Sequence, residues 1–256
     1  MNSSLLAIRT LWIREVVRFY RDRSRVIGAI VPPVVFWFLI GSALGGGSGT
    51  AGGSNTYLQS LFPGTILLIV LFTAVFSTIS IIEDRREGFL QGVLVAPVPR
   101  STIVLGKIAG GATLAFLQAL TFLIIAPFVG VPLAPERMPF VLAELWLSAC
   151  ALTGFGFWIA WRMDSTQGFH AIMNLLLIPM WMLSGSVFPI SGAPTWLRWI
   201  MTVNPVTYCA AALQHGLAVG TSSGLPSPAL SFIVTGLFCI AMVAASTWEV
   251  GREGRR

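Results

Sequence analysis

Six stretches of the chain run almost without charge for about the length of a bilayer crossing, and short charged clusters separate them. A hydrocarbon core of about 30 Å takes roughly 20 apolar helical residues to cross. The stretches fall at about 26–44, 63–82, 106–129, 140–161, 170–188 and 230–250. They predict an all-α membrane protein, with one domain of six transmembrane helices over residues 26–256. Residues 1–25 form a separate N-terminal element. On a helix turning 100° per residue, Leu5, Ile8, Trp12, Val16 and Phe19 share one face, with Arg14, Arg18, Arg21 and Arg25 opposite. That pattern predicts an amphipathic interfacial helix in the membrane plane, with Trp12 and Phe19 among lipids. Its arginines would meet phosphates or a protein partner, and a plain topogenic anchor fits equally.

Two connections depart from the simple alternation of span and loop. Between spans two and three, Glu83–Arg100 opens with charges of both signs. It continues as a short apolar helix presenting Phe89, Leu90, Val93 and Leu94, which Pro97 and Pro99 stop. A helix so short is not stable alone, so something must cover its apolar side. Burial against the spans or the bilayer would do so, and so would docking into a partner's groove. Between spans five and six, about forty residues are too many for a structureless loop. Pro194–Val203 and Pro205–Ala218 each open on proline, a favoured helix start. They predict a re-entrant helical hairpin with Asn204 capping its tip, and with Trp196 and Trp199 at headgroup level. An outer seal and an outer gate both fit this hairpin.

Composition supports the membrane assignment. Of 256 residues 55% are hydrophobic and 10% charged, with mean hydropathy +0.81, where a soluble domain carries roughly 25% charged residues. The net charge of +6 comes with no aromatic-studded basic face, so nucleic acid is not an expected partner. Fourteen of the sixteen Lys and Arg fall on one side of the six spans, and only Arg137 and Arg198 on the other. That bias places both termini in the cytoplasm of a multi-pass cell (inner or plasma) membrane protein. The charged run before the first span is long and the span is full length, which predicts an uncleaved start.

Catalytic and metal-binding readings find little support. Cys150, Cys209 and Cys239 form neither a zinc spacing nor a disulfide framework. His170 and His215 stand far apart, and Ser184 and Ser186 lack the glycine context of a nucleophile elbow. Gly47–Gly52 fits G-x-G-x-x-G without the strand and helix that motif needs, and Gly106-Lys107 lacks the earlier glycine of a Walker A loop. No span carries a charge near its middle. Glu144 sits toward an outer end, and Lys107 and Glu249 sit near inner ends where water is expected to reach them. An ion relay is therefore not expected, and energy must arrive mechanically from the cytoplasmic face.

The run Ile81–Lys107, "IIEDRREGFLQGVLVAPVPRSTIVLGK", resembles the signature of the ABC type-2 transporter permease family, through Glu83, Arg86, Glu87, Gly88, Leu90, Leu94, Pro97, Gly106 and Lys107. "YLQSLFPG" at Tyr57–Gly64 and "NPVTY" at Asn204–Tyr208 agree in order and spacing. Relatives often carry a more charged helix at Phe89–Gly92, and an arginine near Gln214-His215. The resemblance implies the membrane subunit of an ABC exporter for an amphiphilic drug, lipid or lipid-linked glycan. It implies a second permease copy in a homodimer, and a separate ABC ATP-binding subunit that holds ATP and Mg. This chain itself would bind no cofactor and no metal, and would touch membrane lipids. Glu83, Arg86, Glu87, Gly88, Phe89, Leu90 and Leu94 would form the cytoplasmic coupling helix between spans two and three. Asn204, Pro205 and Tyr208 would form the outer gate, with Phe36, Phe72 and Phe76 along the substrate path. The alternative is an ion-coupled secondary transporter or channel that works without an ATPase.

Overall fold

The computed structural model describes residues 3–21, 23–47, 53–95, 98–188, 190–219 and 224–253, and among them every regular element is helical. In order these are α1 (Ser3–Arg21), α2 (Arg23–Gly47), α3 (Gly53–Ser77), α4 (Ile79–Arg86), α5 (Phe89–Val95), α6 (Arg100–Leu123), α7 (Met138–Ala160), α8 (Thr166–Trp181), α9 (Thr195–Val203), α10 (Pro205–Leu217) and α11 (Pro228–Glu253). Five stretches of the described residues are long and apolar enough to cross a membrane: Leu58–Arg86, Arg100–Leu123, Met138–Ala160, Thr166–Ser186 and Pro228–Arg252. The first predicted span lies in α2, whose apolar stretch there is the shorter Ile30–Gly41. The glycine-rich decoy at 47–52 lies almost wholly outside the described residues, as do Pro97 and the side chain of Leu94.

A single rod built from α3 and α4 runs through the centre. Phe62, Ile66, Leu67, Ile69, Val70 and Leu71 have no exposed surface, and α2, α6, α7, α8 and α10 all pack against it. This explains why the segment is apolar all round instead of amphipathic, since a helix covered on every side needs no polar face. At Thr78 the rod tightens by one turn, where the Ser77 and Thr78 hydroxyls donate to the Ala74 and Val75 carbonyls. Trp37, Phe62 and Phe122 stack α2, α3 and α6 together at centroid distances of 4.9–5.9 Å. By contrast α8 and α11 leave Leu175, Ile178, Ile233, Leu237 and Ile240 exposed, an outer surface suited to hydrocarbon.

Helix ends differ from the predicted spans for local reasons. α6 begins at Arg100, one turn and more before residue 106, because Pro99 at its cap presets the start and the helix continues beyond the apolar zone. Its other end stops at Leu123, and residues 126–129 form a 3₁₀ turn closed by Gly130 at φ +79°, a conformation that favours glycine. The fifth span bends after Trp181 into a π turn, Met182–Ser186, through Gly185 at φ +83°.

Two residues of the N-terminal helix face elsewhere than its wheel suggested. α1 docks along α6, with Leu11, Glu15 and Phe19 buried. Trp12, expected among lipids, donates from Nε1 to Thr113 Oγ1 at 2.9 Å. Gly106 and Gly110, one turn apart, permit the approach: a Cβ would meet Leu11 Cβ at 2.9 Å and Glu15 Cβ at 2.6 Å, respectively. Small residues let helix backbones come this close. A helical wheel finds an apolar stripe but cannot distinguish lipid from a glycine-lined groove. Replacing Gly110 by Leu is expected to push α1 off α6 and cost about 1–3 kcal/mol. Thermal unfolding of the purified protein, together with faster proteolysis within α1, checks this.

Candidate functional site: a charge hub, an aromatic cavity and a capped kink

At the arginine-rich end of the bundle, the Asp84 carboxylate has no exposed surface. Arg14 grips it with both terminal nitrogens, at 2.8 Å to Oδ2 and 2.6 Å to Oδ1. Arg18 Nη1 donates to Oδ1 at 2.8 Å, and Lys107 Nζ donates to Oδ2. Every acceptor position of the carboxylate is thereby filled. The Lys107 ammonium donates also to Glu15 Oε1 at 2.6 Å and to Ser80 Oγ at 3.3 Å. Arg18 reaches on to Glu83 at 3.0 Å and Glu87 at 3.4 Å. The hydrogen bond to Asp84 holds the Arg14 guanidinium above its ordinary pKa, and the charges of Asp84, Glu15 and Glu87 add to that effect. Thus α1, α4 and α6 meet in one network of buried ions, and the Arg14 guanidinium also lies 3.7 Å over the Phe89 ring of α5.

The adjoining arginines hold the turn between α7 and α8. Arg85 donates to the Trp161 carbonyl at 2.5 Å and to Asp164 Oδ1 at 3.1 Å, and Arg86 donates twice to the Asp164 carbonyl, at 3.0 and 2.7 Å. On the far side Arg162 pairs with Glu249 at 2.5 Å, and Arg100 donates to the Val250 carbonyl at 2.8 Å. Gly88 at φ +77° turns the chain from α4 into α5. Glu87 and Phe89 stay exposed there, while Leu90 is 3% exposed.

Beside the hub opens a cavity of about 910 Å³ between α2, the α3–α4 rod and α8. Phe36, Phe72 and Phe76 all line it, together with His170, Asn174 and Trp181. Phe72 and Phe76 lie ring to ring at 5.5 Å, His170 lies against Phe76 at 4.9 Å, and Phe36 meets Trp181 at 5.4 Å. The lining extends along the rod from Leu68 to Glu83, about 22 Å at 1.5 Å per residue.

The far end of the cavity touches the α8 kink, whose carbonyls find partners on the α9–α10 hairpin. Asn204 caps α10 by accepting from Val206 N at 3.1 Å, and its Nδ2 donates to the Met180 carbonyl at 2.6 Å. Thr207 reaches the Leu183 carbonyl at 3.4 Å, and Gln214 Nε2 reaches that of Gly185 at 3.3 Å. Pro205 is the first residue of α10, and the Tyr208 hydroxyl donates back to the Thr202 carbonyl at 2.9 Å. Irregular backbone at membrane depth requires such satisfaction.

The family model described as ABC-2 type transporter matches residues 6–218, which takes in the hub, the cavity and the α9–α10 hairpin. The chain belongs to the ABC-2 type transporter family. Among curated proteins it is similar to the inner membrane transport permease YadH of Escherichia coli K12, at 24% identity over 84% of each chain. It also resembles nodulation protein J of Rhizobium leguminosarum bv. viciae, at 27% identity over 72% of this chain and 71% of that one. The ycf38 protein of Cyanophora paradoxa matches at 26% identity over 80% and 73%.

The ABC-2 permease uses several sequence-predicted residues differently from expectation. Leu90 packs inside the chain, so it offers a partner no surface. Arg86 is engaged with the Asp164 turn, and Arg14 and Arg18 with acidic side chains instead of phosphates. Lys107 does not reach water: it is 5% exposed and ion-paired, because α1 covers it. Asp84, Glu15 and Thr207 were given no role in the sequence reading, and Gln214 was named there only as a departure from relatives. Glu15 could have been singled out, since it falls between Leu11 and Phe19 at i+4 spacing on the buried stripe. Ser184 and Ser186 share a 2.8 Å hydrogen bond within the π turn, with Ser184 donating to the Trp181 carbonyl. His215 bonds the Pro226 carbonyl, and the three thiols are free.

Removing one partner from a buried ion network costs about 3–5 kcal/mol, because the remaining charge is left uncompensated. Asp84→Ala and Lys107→Met are each expected to lower stability by that amount in denaturant unfolding. The pair Asp84→Asn with Lys107→Met is expected to recover part of the loss.

Proposed function

We propose that this permease is the membrane subunit of an ATP-driven exporter, working as a homodimer with a separate ATP-binding subunit in the cell membrane. The observation that carries the reading is the position of the buried charge hub, between the exposed Glu87–Phe89 elbow and the aromatic cavity. In this reading α2 is the first of six spans, α5 is the cytoplasmic coupling helix, and both termini face the cytoplasm, as the lysine and arginine bias supports. The ATPase seats on Glu87, Gly88 and Phe89. Its movement passes through Arg14 and Asp84 to α1, α4 and α6, and through Arg85, Arg86 and Glu83 to the turn before α8 and the cavity's end. ATP and Mg bind to the partner.

The cavity suits an amphiphilic cargo such as a drug, lipid or lipid-linked glycan. Its wall is aromatic and apolar, with His170, Asn174 and Thr73 as scattered polar groups. Exposed apolar faces of α2 and α8 flank the cavity, which supports a second copy closing it. At the outer end Asn204, Pro205 and Tyr208 act as the gate, because Asn204 holds both the α10 start and the α8 kink.

Co-reconstitution with the ATP-binding subunit tests the assignment. Glu87→Ala combined with Phe89→Ala is expected to cut transport-coupled ATP hydrolysis about tenfold, equivalent to ~1.4 kcal/mol of coupling, with the fold intact. Phe72→Trp is expected to slow transport while the two subunits still associate. Concentrative transport by the permease alone, without ATP, would overturn the reading.

A further inference from the structure

The cavity between α2, the α3–α4 rod and α8 differs from one end to the other. Every fourth residue of the fifth span from Thr166 onward lines it: Thr166, His170 and Asn174, then Ile178 and, just past α8, Met182. Residues four apart share one face of a helix, so a single stripe passes from polar to apolar between Asn174 and Ile178. The rod repeats this order: Leu68 and Phe72 lie toward the α8 kink, and Thr73, Ser77 and Glu83 follow toward the hub. The contact of the Phe76 and His170 rings, at 4.9 Å, sets the two stripes level, so their polar halves coincide. On the α2 side of the polar half Gly28 offers no side chain, and a Cβ there would meet nothing within 4 Å. Nearer the kink the α2 wall is Phe36 and Ile40, with the Phe36 ring against Trp181 at 5.4 Å. The cavity is therefore roomy and polar beside the hub, and narrow and apolar beside the kink.

Within the polar half the side chains differ in what they have left to offer. Thr73 donates to Gln118 and Ser77 to the Ala74 carbonyl. Glu83, the one charged residue of the lining among the described residues, holds Arg18 at 3.0 Å. His170 and Asn174, by contrast, are exposed, and among the described residues neither hydrogen-bonds to the protein. An imidazole and an amide together present both donors and acceptors. A phosphate or carboxylate head placed beside them meets the negative charge of Glu83. An ammonium head gains that carboxylate only by displacing Arg18, which the hub needs for its own balance. An uncharged head carrying hydroxyl or amide groups meets neither cost, and it satisfies His170 and Asn174 where water is displaced.

We propose that the cavity is an oriented site for an amphiphile with an uncharged, hydrogen-bonding head. His170 and Asn174 bind the head beside the hub, and the hydrocarbon tail lies toward the kink between Phe36, Ile178 and Trp181. The two polar residues of α8 thereby set specificity, while the apolar end supplies affinity without selecting among heads. The inference rests on the export reading above, in which this cavity holds the cargo, and adds which head it accepts and which way round the cargo sits.

The test reads binding to the full-length permease in lipid nanodiscs, with neither nucleotide nor ATP-binding subunit, so a failure of ATP coupling and a failure of this inference are told apart. An alkyl maltoside with a diazirine at its tail end is expected, on illumination, to label Phe36–Ile40 and Ile178–Met182, as mapped by mass spectrometry. With the diazirine on its head it is expected to label Thr166–Asn174. Unlabelled alkyl maltoside is expected to compete about tenfold better than the alkyl phosphate or alkyl trimethylammonium of equal chain length. His170→Phe combined with Asn174→Leu keeps a ring on Phe76 and the bulk of both side chains. It is expected to weaken maltoside competition about tenfold, as loss of one or two neutral hydrogen bonds does, while the tail label stays in place. Should the pair fail to fold, each substitution alone is expected to show part of that loss. Labels reversed end for end, labels that no competitor displaces, a charged head that competes as well as the neutral one, or variants that weaken all three heads alike would overturn the proposal.

Discussion

A carboxylate removed from water has to be surrounded by charge, and in this permease that requirement organises one whole end of the molecule. Asp84 accepts from three cationic side chains drawn from two other helices. The ammonium of Lys107 then needs Glu15 as well, so the balance closes only with α1 in place. Taking two charges out of water is expensive, and good geometry with full hydrogen bonding is what offsets it. No member can therefore be displaced a little: a lost partner leaves a buried ion, and the elements move together or not at all. The clamps from Arg85, Arg86, Arg100 and Arg162 extend the same logic to the turn after α7 and to the end of α11.

The helices around the cavity are held by a different kind of contact. α2 rests on α3 through Trp37, whose ring packs on Phe62 and whose Nε1 reaches the Leu58 carbonyl at 3.0 Å. α8 is held by Trp181, whose Nε1 donates to the Gly64 carbonyl at 2.7 Å. Otherwise the walls meet through apolar and aromatic surfaces. Such attraction is non-directional and follows buried area, so it tolerates sliding that an ion network does not. The described residues thus divide into an end tied by directional charge and a flank joined by shape, and the cavity lies along the boundary between them.

Much of this was legible in the sequence because hydrocarbon imposes strict rules. Long uncharged runs located the long helices, prolines located the starts of α9 and α10, and Asn204 is a cap as its position implied. Phe36, Phe72 and Phe76 line one cavity, although their facing could not be read from residue spacing alone. What escaped were relations between residues far apart. Lys107 and Glu15 each look tolerable alone near a helix end, and only contact across 92 residues of sequence shows why both are buried. Asp84 sits in a run of five charges whose members look alike, yet one of them points into the α1–α6 junction and the others face its rim. Trp12 and Phe19 face the bundle for the related reason that Gly106 and Gly110 read as ordinary small residues until α1 fills the groove they make.

The central rod connects the two ends. The Gly64 carbonyl anchors the α8 kink through Trp181, and Asp84 anchors α1 and α6, about 30 Å further along one nearly continuous helix. A helix transmits displacement along its axis because each backbone hydrogen bond closes its own turn, so a shift at one end need not be absorbed by side-chain repacking between. The tightened turn at Thr78 is the exception, since its hydroxyls bond back to the preceding turn and bend the rod locally. Phe76 precedes that turn, and Ser77 and Ile79, on either side of it, also line the cavity. The one place where the rod departs from regular helix is therefore a place where it forms the cavity wall, so a force reaching Asp84 would alter the shape of the cavity before it reached the hairpin.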